Sequence, residues 1–75
     1  MLSSSSVKNV MGQVMPGKAV AKVPGGYIIQ AKNLPNGRGF VPEPNDLSMN
    51  KEILVKVVGQ HQGMALLHPI FGGFR

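Results

Sequence analysis

Apolar and polar positions alternate along this chain in short runs, and glycine or proline separates one run from the next. The stretch Gly17–Pro42, GKAVAKVPGGYIIQAKNLPNGRGFVP, shows the plan most fully. Lys18 to Val23 predicts a first strand, with Ala19, Ala21 and Val23 on one face and Val20 and Lys22 on the other. Pro24-Gly25-Gly26 predicts a sharp bend. Tyr27 to Lys32 predicts a second strand, in which Ile29 and Ala31 face the core and the more polar set Ile28, Gln30 and Lys32 faces out. Asn33 to Arg38 is the hairpin tip, because Asn36-Gly37 suits a type I′ turn, whose two central residues both need positive φ. Gly39 to Val41 is a short third strand, ended by Pro42 and Pro44, which cannot donate to a ladder.

Leu47 to Lys51 suits one helical or 3₁₀ turn and is too short for a stable helix. Glu52 to Val58 predicts a fourth strand, with Ile53, Val55 and Val57 as its inner, mostly β-branched face. Gly59 to Gly63 is a polar turn, and Met64 to His68 returns as a fifth strand that Pro69 stops. Five short strands between turn signals predict an all-β chain closed into a small five-stranded antiparallel barrel. The expected division is a flexible serine-rich tail over 1–11, one barrel over 12–69 and an apolar tail over 70–75. Gly12 to Met15 is a lead-in or an extra strand, set apart by Pro16-Gly17.

Composition sharpens this picture in three ways. A chain of 75 residues forms one domain, and at this size folding buries only about 60% of the unfolded surface, so every strand must contribute. It has no cysteine, which removes disulfides and thiolate metal sites from consideration. Eight Lys and Arg stand against three Asp and Glu, a formal charge of +5 that favours a polyanionic partner. The first ten residues lack the apolar core of a signal peptide, and no run approaches the roughly 20 apolar residues of a membrane span. The expectation is a cytoplasmic protein with no membrane partner.

The order of these segments resembles the RNA-binding domain named after ribosomal protein S-one, whose fold is a five-stranded OB-fold barrel. Three places carry the likeness. Gly17, Val20, Val23, Gly25-Gly26, Tyr27 and Ile29 are similar to the family's opening strand, glycine pivot and second strand. Gly39-Phe40-Val41-Pro42 and Leu47 are similar to its third strand and the segment after it. Asn50 to Val58, with Leu66-Leu67-His68, is similar to its last two strands. The resemblance covers about residues 17–69. The chain departs from it in a short link over Glu43 to Lys51, in Pro42 where a histidine is frequent, and in Asn50-Lys51 where a glycine is common.

The resemblance implies that single-stranded RNA, ribosome- or mRNA-associated, lies across the second and third strands. Phe40 would stack a base if Val41 points inward, and Tyr27 would do so if its register follows the family rather than the face of Ile29. Lys18, Lys22, Lys32, Arg38 and Lys56 would neutralise phosphates, and His68 would add a stacking or hydrogen-bonding contact. His61 and His68 have no third partner in the sequence to make a metal site, and no cofactor is expected. Glu43, Asp46 and Glu52 are scattered, Ser3 to Ser6 have no evident base, and NLPNGRG lacks a phosphate loop's Gly-Lys-Ser/Thr ending, so the chain is not expected to be an enzyme. The expected state is a monomer. The alternative is a non-catalytic barrel subunit or regulator that docks on a larger protein assembly through the apolar tail Ile70-Phe71-Gly72-Gly73-Phe74.

Overall fold

A computed structural model of the chain describes residues 7–70. Of the expected tails over 1–11 and 70–75, residues 1–6 and 71–75 lie outside the described residues, and Ile70 ends the last strand in place of the expected His68. Five strands form a closed barrel in the order β1-β2-β3-β5-β4. They are β1 Val14–Val23, β2 Gly26–Gln30, β3 Arg38–Pro42, β4 Glu52–His61 and β5 Met64–Ile70. Among the described residues no helix is long and apolar enough to cross a membrane.

The barrel is not purely antiparallel as expected, because β3 and β5 run parallel through Gly39↔Ala65 and Phe40↔Leu66. The reason is geometric. Antiparallel neighbours must alternate in direction, and an odd number of strands cannot alternate all the way round a closed ring. The four remaining contacts are antiparallel, three of them hairpins and the fourth the long-range β1–β4 pair, so the mismatch falls at β3–β5.

β1 is longer than the expected Lys18–Val23. Its first half, Val14–Lys18, pairs with β4, and its second half, Lys18–Val23, pairs with β2. Pro16 is compatible with this because the Val14–Lys18 half pairs with β4 alone, which leaves its other edge without a ladder that needs an N–H there. Gly17 faces inward, where a Cβ would lie 2.9 Å from Ile29 Cγ2.

Two β-bulges interrupt the simple alternation. In β1 the register steps from Ala19↔Ile29 to Ala21↔Ile28, leaving Val20 as the extra residue. In β4 it steps from Val57↔Leu67 to Gly59↔Leu66, leaving Val58 as the extra residue. An extra residue adds one to the count without crossing the sheet, so each bulge reverses the faces assigned by counting beyond it. Ala21, expected on the same face as Ala19, is thereby placed opposite Ile28 on the outer face, while Ala19 points inward. Lys22 moves instead to the side of Tyr27, its cross-strand partner.

The interior is filled by Met15, Ala19, Tyr27, Ile29, Val41, Val55, Val57, Ala65 and Leu67, all buried. Leu34 and Leu47 enter this cluster from loops, and Val7 enters it from a turn ahead of β1. Packing therefore starts at Val7 rather than at residue 12, and Gly12 N–H donates to Val57 O at 2.8 Å. The 43–51 link makes no helical turn. It runs extended past β1, where Asn50 N–H donates to Ala19 O at 2.7 Å and Met49 bridges Ala19.

The β2–β3 connection carries the expected turn, with Asn36 at φ 58 and Gly37 at φ 70. Arg38 N–H closes it on Pro35 O. The β4–β5 turn is tighter than the expected Gly59–Gly63. β4 continues to His61, and only Gln62 and Gly63, at φ 51 and 83, make the reversal.

Candidate nucleic-acid interface

The outer surface of β1, β2 and β3 forms an open groove of about 1130 Å³. Its construction follows from register. Lys18 pairs with Gln30, and Gln30 pairs with Arg38, so these three exposed side chains form one row across three strands. Adjacent strands lie about 4.8 Å apart, which sets Lys18 and Arg38 roughly 10 Å from each other at the backbone. Glu52 continues the row on β4 as the cross-strand partner of Lys18.

A second row lies two residues along the strands. Ala21, Ile28, Phe40 and Leu66 follow one another across β1, β2, β3 and β5. It is apolar throughout, and Val20 at the bulge adds to its edge at 38% exposure. Lys32, Asn33 and Asn36 rise from the β2–β3 connection and complete the groove wall. Lys18, Lys32 and Arg38 are three cations against the single carboxylate of Glu52. A charged row beside an apolar row suits a chain that carries phosphates along one side and flat, apolar faces along the other.

The expected site residues divide into three groups. Lys18, Lys32 and Arg38 line the groove. Lys22 stands at the mouth of the barrel, 3.3 Å from Glu43 Oε2 and 5.2 Å above the centre of the Tyr27 ring. Lys56 and His68 are cross-strand partners on β4 and β5 and do not line the groove.

The aromatic expectations are changed most. Tyr27 is 7% exposed and belongs to the core with Ile29, which corrects the outward register. Phe40 does face outward, opposite to Val41, yet the residue is only 8% exposed. It lies over Gly26, and the His61 imidazole stacks on it with centroids 4.7 Å apart and planes 15° from parallel. The bulge at Val58 places His61 there, since uninterrupted counting from Val55 and Val57 would have turned it inward.

Gln30, Ile28, Val20 and Ala21 also line the groove, although none of them is a cation or an aromatic and none was among the expected site residues. Alternation along β2 already set Ile28 and Gln30 outward, so the signal for those two was present. Nothing in the sequence marks the bulges that bring Ala21 and His61 to this face. Among the described residues no group of three or more His, Cys, Asp or Glu is placed to hold a metal ion. No family model, curated protein or solved structure matches the chain.

Proposed function

We propose that the protein is a non-catalytic binder of single-stranded RNA, and that its barrel is an OB-fold like that of the S-one RNA-binding domain. The fold reading is supported by the strand order, which closes β1-β2-β3-β5-β4 with β3 parallel to β5. Such barrels bind oligonucleotides across strands two and three. The single observation that carries the function is the pair of rows on that face, with Lys18–Gln30–Arg38 for phosphates and Ala21–Ile28–Phe40 for bases.

Single-stranded binders combine cations that track the backbone with surfaces on which bases lie, and they tolerate many sequences. The test is an NMR titration of the protein with oligouridine at low and moderate salt. Amide shifts should cluster on Lys18, Ile28 to Lys32 and Arg38 to Phe40, and should shrink as salt rises. An unchanged spectrum at high micromolar RNA would sink the reading.

A second reading, docking on a larger protein assembly, is favoured by a different face. Met11, Val14, Leu54 and Val58 are 46%, 51%, 49% and 49% exposed. Leu54 and Val58 project from β4 on either side of Lys56, and Val14 lies beside Lys56 on β1. A variant Leu54→Lys that keeps oligouridine binding but loses association with cell assemblies would favour docking.

A further inference from the structure

Among the described residues the stack of His61 on Phe40 is the one aromatic pair, and its dimensions are those of a base on a ring. Phe40 adjoins Ile28 in the apolar row, so the stacked pair continues the floor of the groove beyond its open part. With 8% of its surface exposed, Phe40 has no room for a second partner while His61 stays in place.

We infer that Phe40 is a nucleobase site that the chain fills with its own His61, and that a bound base displaces the imidazole from the ring. This rests on the proposed RNA-binding reading and specifies how that face is engaged. Three features permit the exchange. His61 is the last residue of β4 and precedes the two-residue turn Gln62-Gly63, so its side chain leaves the ring without disturbing the barrel wall. No hydrogen bond of its side chain is made within the described residues. The ring beneath is held from the other side, because Gly26 has no Cβ and Phe40 Cζ lies 2.9 Å from where one would be. The imidazole is the movable half of the stack and the phenyl is the fixed half.

The competition has a direction that ordinary contact would not have. A residue that touches RNA weakens binding when removed, whereas one that occupies the RNA's place strengthens it. An aromatic pair contributes about 0.5–1.5 kcal/mol, so His61→Ala is expected to tighten oligouridine binding by about two- to tenfold. Phe40→Ala is expected to weaken it, and the double variant should bind like Phe40→Ala alone. A thermal melt of each variant checks that the barrel is intact.

The unsubstituted chain supplies a readout that does not depend on substitution. The Phe40 ring current holds the His61 ring protons upfield in the free protein. Adding oligouridine should return them to ordinary histidine positions, while those of His68 stay put. Weaker binding by His61→Ala, or His61 protons that remain upfield while Lys18, Gln30 and Arg38 titrate, overturns the displacement and leaves the RNA-binding reading standing. No titration of any residue in either protein removes both.

Discussion

Gly26 and Gly39 occupy positions where a methyl group meets other atoms, and the two differ in what they meet. At Gly26 a Cβ would overlap the backbone carbonyl of Val41, which the β2–β3 ladder holds in place. At Gly39 it would meet Leu67 Cδ1 at 2.6 Å and Leu34 Cδ1 at 3.0 Å, the ends of side chains that can turn. Overpacking in a dense interior costs about 1–3 kcal/mol. Gly39→Ala is expected near the lower end of that range and Gly26→Ala at or beyond the upper end, read from urea unfolding midpoints. The reverse order would show that the two leucines are held more rigidly than Val41's carbonyl. Ile29, with no exposed surface, sets a reference for core loss. Ile29→Ala should cost about 2–5 kcal/mol by the same measurement.

Strands and their registers decide which charges act together. The Lys18–Gln30–Arg38 row gathers two cations from β1 and β3 that are twenty residues apart in the chain. Each phosphate neutralised on a single strand contributes about 0.7 to the slope of log affinity against log salt. Lys18→Ala and Arg38→Ala are each expected to reduce that slope by about 0.7, and the double variant by about 1.4. Lys22→Ala should leave it unchanged, because Lys22 stands at the barrel mouth beside Glu43, outside the groove. Equal losses for Lys22 and Lys18 would mean that overall charge, not the row, attracts the ligand. Alternation read from the sequence assigned the faces of β2 and of β4 up to Val57 correctly, because nothing interrupts the ladders there. It misplaced Ala21 and Lys22 relative to Ala19, since both follow a bulge and a period of two carries no record of an inserted residue, while His61, expected in a turn, ends β4 instead.

The described chain has one core, shared by all five strands and by Val7, Leu34 and Leu47. No strand can leave without exposing it, so unfolding is expected to be a single transition. Tyr27 is the only tyrosine and there is no tryptophan, so its fluorescence reports directly on that core. Urea curves from Tyr27 emission and from far-ultraviolet circular dichroism should superimpose. Separate midpoints would show that part of the barrel opens independently. The class of the fold was legible in the order of strands and turns, because alternation, Asn36-Gly37 and the paired prolines act through local backbone preferences. The positive charge was legible too, as was the outward direction of Phe40. What required the folded barrel was everything set by closure: the parallel β3–β5 contact, the two bulges, the burial of Tyr27 and the cover of His61 over Phe40. Closure joins residues distant in the chain, and its demands fall on register, which local sequence leaves open.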